Sequence, residues 1–348
     1  MSRLSGALGA VLLTVLSACA TRQGPGAPVP ASAETGGRRG AQAHDIAFWN
    51  GRETTFAGVR TSELMILSGS AGLDVLSGDG RPLQQIALPH LGDLDVAVLP
   101  TEESRFTVLG ASYGARGEEG AVLFRFDDVR GGEFVRWGTL RTDIPGPTGF
   151  CMRQWRGQVA AVVTGSRGEV RILVISEGPE GQIVSRELRR FQLGSGVSGC
   201  AIDPDAGRLY LTEASRGLWS HPLDPESPQP PVLIQAADGQ RLRAPVEGAA
   251  LLDDRGRYLV VSSSGDSSIA VWRISSEPQW LGRFVIPAGQ VDEVSRTTGL
   301  DAYGGAFGDF PRGLVAVQDS TNHGGQNFKL VDWGEVRLAL GLGPSSGR

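Results

Sequence analysis

Short runs of apolar residues, bounded by glycine, aspartate and serine, fill most of the chain between residues 45 and 335. In residues 63–88 (ELMILSGSAGLDVLSGDGRPLQQIAL), three apolar segments are separated by glycine-rich turns, and Asp79-Gly80 is a dipeptide typical of hairpins. No long segment in this region has apolar residues at the 3.6-residue period of an amphipathic helix. The pattern therefore predicts an all-β domain.

A small or polar residue followed by glycine opens an apolar strand at nearly equal intervals. Four such glycines lie 50, 49 and 51 residues apart: Gly149, Gly199, Gly248 and Gly299. Gly92-Asp-Leu-Asp95, before another apolar strand, marks an earlier unit. A period near fifty residues with about four short strands per unit is typical of propeller blades. At this period, about 300 residues predict a six-bladed β-propeller. A long β-sandwich is the alternative, and the regular spacing disfavours it.

The N-terminus has the features of an export signal. Residues 4–16 are apolar but too few to span a bilayer, and Leu16-Ser-Ala-Cys19 resembles the lipobox of bacterial lipoproteins. We therefore expect a signal peptide over residues 1–18 and a lipid on Cys19. The protein would be anchored in the bacterial outer membrane, facing the periplasm or the exterior. An ordinary secretory signal is the alternative.

The remaining boundaries follow from composition. Gly, Pro and Ala dominate the segment after Cys19, so we expect a flexible linker over residues 19–43. The propeller is then predicted over residues 44–336, followed by a C-terminal tail over 337–348. No second transmembrane segment is expected. The formal net charge of −5 disfavours nucleic acid as a partner, and we expect a monomer.

Common catalytic motifs are weak or missing. Gly110-Ala-Ser112-Tyr-Gly114 matches a nucleophile elbow, but a turn and a strand follow it where that motif requires a helix. The four histidines are scattered, and cysteine and histidine spacing offers no zinc site. Cys151 and Cys200 each follow a blade-opening glycine, so they could pair as a disulfide in an oxidising compartment; two buried free thiols are the alternative.

Carboxylates at strand ends are the remaining candidates for chemistry. Calcium takes six to eight oxygen ligands in flexible geometry, which clustered carboxylates can supply. The acids at or near predicted strand ends are Asp45, Glu213, Glu247, Asp292, Asp301 and Asp319.

Several segments resemble the β-propeller phytases, which are calcium-dependent enzymes that release phosphate from phytate. The resembling segments run in the family's order from about residue 44 to 335: HDIAFW, GFCMRQW with VVTGSRGEV, SGCAIDPDAGRLYLTEASRGLW, VEGAALL and VAVQDSTNHGGQNFKLVDW. The resemblance independently implies a six-bladed propeller and covers essentially the whole domain.

The resemblance implies a set of site residues. Metal ligands would be Asp45, Glu247, Asp292, Asp301 and Asp319, and catalytic carboxylates would be Glu247 and Glu213. Because a guanidinium group holds phosphate in a bidentate fork, substrate phosphate would be bound by Arg116, Arg153, Arg167 and Arg296.

Part of the family's acid set is replaced in this sequence. The residues that stand where the family has carboxylates are His44, Ser198, Ala214, Pro245, Arg296 and Thr298, and Ser166 stands in place of a phosphate-binding lysine. Two hypotheses therefore stay open. The first is a calcium-dependent phosphomonoesterase acting on phytate or a simpler phosphate ester, with fewer calcium ions than the family and weak activity. The second is a non-catalytic propeller that binds an anionic ligand or a partner protein.

Overall fold

The computed structural model describes residues 26–37, 41–100, 105–127, 132–322 and 325–343. The predicted signal peptide and Cys19 lie outside these residues. Within them nearly all the regular structure is β-strand, arranged in six sheets as the repeat predicted, and every strand pair except β1 with β22 is antiparallel. No helix in these ranges is long and apolar enough to cross a membrane.

Two short strands come first along the chain, β1 (Ala27–Pro28) and β2 (Ala33–Glu34). Three four-stranded blades follow, each with its strands in sequence order. Blade 1 contains β3 (Ala43–Phe56), β4 (Val59–Gly69), β5 (Gly72–Ser77) and β6 (Pro82–Ile86). Blade 2 contains β7 (Leu91–Pro100), β8 (Arg105–Tyr113), β9 (Gly120–Asp127) and β10 (Glu133–Arg141). Blade 3 contains β11 (Pro147–Trp155), β12 (Gln158–Gly165), β13 (Glu169–Glu177) and β14 (Ile183–Gln192).

The later blades continue the pattern. Blade 4 contains β15 (Val197–Asp203), β16 (Arg208–Glu213), β17 (Gly217–Pro222) and β18 (Val232–Ala236). Blade 5 contains β19 (Val246–Asp253), β20 (Arg257–Ser263), β21 (Ser268–Ile274) and β22 (Gln279–Val285), with a 3-10 turn at Ser264–Asp266. Blade 6 contains β23 (Leu300–Tyr303), β24 (Leu314–Asp319) and β25 (Asn327–Asp332), and the helix α1 (Trp333–Ala339) follows it.

The glycine repeat marks the places where the blades come closest together. The first strands of successive blades contact one another in a closed ring around a central axis. A β-carbon on Gly149 would lie 2.1 Å from the carbonyl oxygen of Ser198 in the next blade. A β-carbon on Gly199 would lie at the same distance from the carbonyl oxygen of Glu247. Only glycine permits this approach, and the fifty-residue period therefore reports the blade spacing.

The N-terminal segment closes the ring, which corrects the prediction of a flexible linker through residue 43. β1 pairs in parallel with β22, and β2 supplies the fourth strand of blade 6 by pairing with β25. Val29 and Ala31, only 2% and 3% exposed, pack into the apolar core between blades 5 and 6. We call residues 26–37 the N-terminal strap.

The C-terminal boundary also lies further along the chain than predicted. Asp332 caps α1 by accepting from the backbone N–H of Gly334, and Trp333 and Val336 are fully buried. The Trp333 indole and the Arg337 guanidinium both donate to the Asp254 carboxylate in blade 5, at 2.9 Å and 3.0 Å. Residues from 337 onward, expected to form a tail, therefore begin inside the folded domain.

Candidate active site at the propeller axis

One end of the ring carries most of the candidate residues. Because neighbouring strands are antiparallel, the first strand of each blade begins at the same end where its second strand turns into its third. We call this end the mouth; it is formed by the starts of β3, β7, β11, β15, β19 and β23 and by these second-to-third turns. The candidates placed here are Asp45, Arg116, Arg167, Glu213, Glu247, Asp292, Arg296 and Asp319.

A narrow cavity of about 50 Å³ lies on the axis beneath the mouth. Four carboxylates line it, Asp45, Asp93, Asp95 and Asp301, and we call them the axial acids. Arg153 of β11 lines the same cavity. The structure thus brings together three of the candidates named from sequence, Asp45, Asp301 and Arg153, and adds two acids that sequence reasoning missed.

Three of the axial acids are oriented by the backbone of the next blade. Each accepts a hydrogen bond from a strand amide across the blade boundary: Asp301 from Phe48 at 2.8 Å, Asp45 from Leu94 at 3.1 Å, and Asp95 from Met152 at 2.8 Å. These bonds join blades 6, 1, 2 and 3 in succession. The acids are therefore held in fixed directions around the axis.

Burial raises the pKa of every axial acid, and repulsion from a neighbouring acid adds to the shift for Asp45, Asp93 and Asp301. The pKa of Asp45 lies well above its usual value because the group is buried and because Asp93 is close. Burial, and then Glu247, raises the pKa of Asp93 well above its usual value. Burial raises the pKa of Asp95 as well, although the Arg153 charge opposes it. Burial and the neighbouring Asp95 raise the pKa of Asp301 to about 7. Crowded carboxylates of this kind favour protons or a bound cation.

Glu247 joins this group electrostatically from the mouth. It is the second residue of β19 and is half-buried. Burial raises its pKa, and a hydrogen bond with Ser264 opposes the shift. Its charge in turn raises the pKa of Asp93, one of the axial acids.

Glu213, the second predicted catalytic acid, lies apart from the axial cavity. Its carboxylate accepts the Gly194 amide at 2.9 Å and the Trp219 indole N–H at 2.7 Å, and the residue is fully buried. Both oxygens are therefore bonded within blade 4. This arrangement holds the turn before β15 against β17.

Asp292 and Asp319 lie around a buried lysine. The Lys329 ammonium donates to Asp292 and to Glu34 of the strap, and it lies 3.5 Å from Asp319. Burial alone would lower the pKa of Lys329, but the bonds to Asp292 and Glu34 outweigh it and raise that pKa. A cation of the protein itself thus occupies the position between these acids, so they do not suit calcium.

The predicted phosphate-binding arginines fall into two groups. Arg153 faces the axial cavity, where its charge lowers the pKa of Asp95 and Asp301. Arg116 and Arg167 are exposed on the second-to-third turns of blades 2 and 3. Arg296 is exposed on the connection from blade 5 to blade 6, where its backbone amide donates to Ser267.

Thr298, at a position where the resemblance places an acid, makes neutral hydrogen bonds. The Thr298 hydroxyl donates to the Gln318 side-chain carbonyl at 3.2 Å, and Gln318 in turn donates to the backbone carbonyl of Ala43. Ser198 is half-buried at the start of β15. Burial lowers the pKa of His44 beside Asp45, which favours the neutral imidazole.

The fit to calcium differs between the two acid clusters. In the described residues, no three His, Cys, Asp or Glu side chains are arranged as a ready metal site. The axial acids nevertheless offer four carboxylates with the hard oxygen donors that calcium prefers, against the single positive charge of Arg153 in the same cavity. The donor chemistry therefore fits at the axis and not at Lys329.

Cys151 and Cys200 form a disulfide between β11 and β15, the first strands of blades 3 and 4. Their Cα atoms are 5.8 Å apart, within the range that disulfides span. The two residues also line the axial cavity, so the bond fixes one side of its wall.

Comparison with known proteins agrees with the resemblance noted in the sequence. The chain is 27% identical over 301 residues to the 3-phytase of Bacillus subtilis (strain 168), covering 81% of this chain and 78% of that protein. Among solved structures, the PQQ-bound aldose sugar dehydrogenase of Streptomyces coelicolor shares the fold. Its TM-score is 0.50 at 14% identity, covering 87% of this chain and 97% of that one. The sequence model of the family described as Phytase matches residues 2–345, and this chain therefore belongs to the phytase family.

Proposed function

We propose that the chain is a calcium-dependent phosphomonoester hydrolase that acts weakly on phytate or a simpler phosphate ester at the mouth. The observation that carries this proposal is the cluster of four axial acids around one cavity, with Glu247 close to it at the mouth. Family membership and the 3-phytase relative support the same chemistry.

Asp45, Asp301 and Glu247, with Asp93 and Asp95, are the residues that would hold calcium. Calcium, when bound, supplies positive charge that offsets phosphate charge and favours ionisation of a nearby water. We assign no calcium to Asp292 or Asp319, because the Lys329 ammonium already lies between them.

The side chains of the chain provide the remaining roles. Arg116, Arg167 and Arg296 are exposed at the mouth and suit the binding of substrate phosphate. Glu247 is the best candidate to accept a proton from the attacking water, because its raised pKa brings it closer to neutral pH. Glu213 is bonded to Gly194 and Trp219, so we assign it the positioning of the blade 4 turn.

A non-catalytic binding module is the second candidate. It is favoured by the contacts of Lys329 with Asp292 and Asp319 and of Trp219 with Glu213, because these contacts leave fewer carboxylates for metal binding or catalysis. In that case the mouth binds an anion or a partner protein without turnover.

We also propose that Cys19 carries a lipid and that the protein is anchored in the outer membrane. The Leu-Ser-Ala-Cys sequence supports this proposal. Incorporation of labelled palmitate that is lost in Cys19→Ala would support it, and equal incorporation in both would refute it.

The deciding experiment measures phosphate release from phytate and from a simple monoester. Calcium is titrated from excess chelator to millimolar concentration. Calcium-dependent release that is lost in Glu247→Gln supports the hydrolase. Folded protein that releases no phosphate at any calcium concentration would overturn it in favour of the binding module.

A further inference from the structure

The N-terminal strap fixes the point where the chain leaves the fold. Ala27 and Pro28 pair with Phe284 and Val285 of β22, the outermost long strand of blade 5. The Val29 amide donates to the carbonyl of Val285 at 2.9 Å. Gly26 lies so close to this strand that a β-carbon would be 3.0 Å from the carbonyl oxygen of Arg283. The chain therefore emerges at the outer edge of blade 5 and not at the mouth.

The C-terminal helix ends at the same edge. A β-carbon on Gly282 of β22 would lie 2.8 Å from a methyl group of Leu340. Leu340 therefore covers Gly282, which is the neighbour of Arg283, the residue that Gly26 approaches. Leu338 at the end of α1 is 50% exposed, the highest fraction among the exposed large apolar residues described. Gly26–Pro28, β22 and Leu338–Leu342 together form what we call the blade-5 edge.

The length of chain before this edge is short. Six residues, 20–25, separate Cys19 from Gly26. At no more than about 3.6 Å per residue, the Cα atoms of Cys19 and Gly26 can be at most about 25 Å apart. With a lipid on Cys19, the blade-5 edge cannot move further than this from the bilayer surface.

We propose that the blade-5 edge faces the membrane and that Leu338 contacts the lipid surface. This inference rests on the proposed lipid anchor at Cys19 but not on the proposed hydrolase activity. The edge of a blade points radially outward, whereas the mouth opens along the axis. The mouth therefore opens sideways, along the plane of the bilayer, and ligands reach it from the aqueous phase.

The charges near Leu338 are compatible with an anionic lipid surface. The acids in and before the first turn of α1, Asp332 and Glu335, are paired with Arg312 at 3.2 Å and 2.9 Å. Arg337 is buried against Asp254. Arg312 offsets one of the two acid charges, so the repulsion between this group and phospholipid headgroups is limited to one net negative charge beside an apolar side chain.

The test places a fluorophore at two sites of the full-length lipidated protein. One variant carries Leu338→Cys, and the matched control carries Glu133→Cys on β10 of blade 2, three blades away on the opposite side of the ring. Both are reconstituted into phosphatidylethanolamine–phosphatidylglycerol vesicles that contain a lipid-linked quencher. We expect loss of most of the fluorescence at position 338 and little loss at position 133. Inserting ten Gly/Ser residues between Pro25 and Gly26 should reduce the loss at position 338 several-fold.

Each other outcome overturns the proposal in a recognisable way. Protein that does not float with the vesicles refutes the anchor and this inference together, while phosphate release is unaffected. Protein that floats but is quenched equally at both sites refutes the orientation alone. Crosslinking through position 338 to a second copy, without vesicles, would show that another chain covers this edge.

Discussion

The ammonium group of Lys329 donates a hydrogen bond to the carboxylate of Asp292 from a side chain with no exposure to solvent. The same ammonium bonds to Glu34 in the N-terminal strap and lies 3.5 Å from Asp319. One positive charge thus holds three acids from three separate segments of the chain. It ties the strap to blade 6.

The first prediction concerns this lysine. Lys329→Met leaves three carboxylates without their counter-charge, and breaking a buried ion pair from one side costs about 3 kcal/mol. We expect a lower Tm in chelator and partial recovery in millimolar calcium, because a divalent cation can replace the ammonium among these oxygens. Differential scanning calorimetry with and without calcium measures both effects.

Arg283→Met is the matched control. Arg283 is another well-buried cation, paired at 2.8 Å with Asp266. Its loss should also lower the Tm, but without the three-carboxylate cluster the calcium effect should equal that of the wild type. If calcium raises the Tm of Lys329→Met by no more than it raises the Tm of Arg283→Met, the Lys329 ammonium does not occupy a position where calcium can bind.

The second prediction is a loss of stability in acid caused by His221. The His221 ring is 3% exposed, stacks on Phe191 at 4.6 Å, and has no hydrogen-bond partner for either nitrogen. Burial, and then the charges of Arg189 and Arg208, lower its pKa from 6.5 to about 4. His221 binds a proton more tightly in the unfolded chain than in the folded one. The stability that the neutral ring preserves is therefore fully present above pH 6.5 and is lost as pH falls toward 4. The shift corresponds to roughly 3 kcal/mol.

His221→Phe keeps the stacking and removes the titration. The difference in free energy of unfolding between variant and wild type should therefore grow in favour of the variant from pH 7 to pH 4 in urea titrations. His90→Asn, at an exposed histidine with a positive φ, is the control and should show no such trend. A constant difference across this range would show that His221 is solvated or paired in solution.

The sequence predicted the ring well because the determinants of the ring are local and repeated. Gly149 and Gly199 must be glycine for the blades to approach, so their spacing reports the architecture directly. The strap was missed because Val29 and Ala31 are small and isolated among prolines and glycines. The residues that they pack against lie more than 200 residues away in the sequence, and no local sequence pattern predicts such packing.

The candidate site was predicted less completely for a related reason. Asp93 and Asp95 are two acids close together at the start of one strand, and that pair was the available signal for acids facing the axis. Asp292 and Asp319 resembled metal ligands in the sequence. Their pairing with Lys329 depends on how three segments meet in space, which the motif does not encode.

The third prediction concerns the disulfide. Cys151 and Cys200 are 49 residues apart in sequence, and closing a loop of this size stabilises the folded state by about 4 kcal/mol in the chain-entropy description. We expect the Cys151→Ala/Cys200→Ala double variant to have a clearly lower Tm and wild-type protein to lose the same amount in reductant. Alkylation of both thiols in unreduced, denatured wild-type protein would contradict the bond.

The fourth prediction tests repulsion among the axial acids. Asp93→Asn removes the neighbouring charge that, after burial, does most to raise the pKa of Asp45. The variant should therefore have a higher Tm in chelator, by roughly 2 °C for each kcal/mol gained, and a smaller rise when calcium is added. Asp74→Asn, on β5 of blade 1 away from the axial cavity, is the control and should leave the calcium response unchanged. A lower Tm for Asp93→Asn in chelator would show that Asp93 is not in conflict with its neighbours.

The last prediction asks whether the replaced acids limit the chemistry. Ser198 is the second residue of the first strand of blade 4, and Thr298, which is hydrogen-bonded to Gln318, lies just before the first strand of blade 6. Both stand where the resemblance places carboxylates. Ser198→Glu with Thr298→Asp adds two oxygen ligands at the mouth. We expect at least about a tenfold rise in calcium-dependent kcat/KM on phytate, equivalent to about 1.4 kcal/mol of transition-state stabilisation. Ser275→Glu with Ser276→Asp, on the exposed turn between β21 and β22 at the other end of the ring, adds the same two charges away from the mouth and should leave the rate unchanged. A rise of equal size in the control would mean that added negative charge acts generally, and no rise in either would favour the binding module.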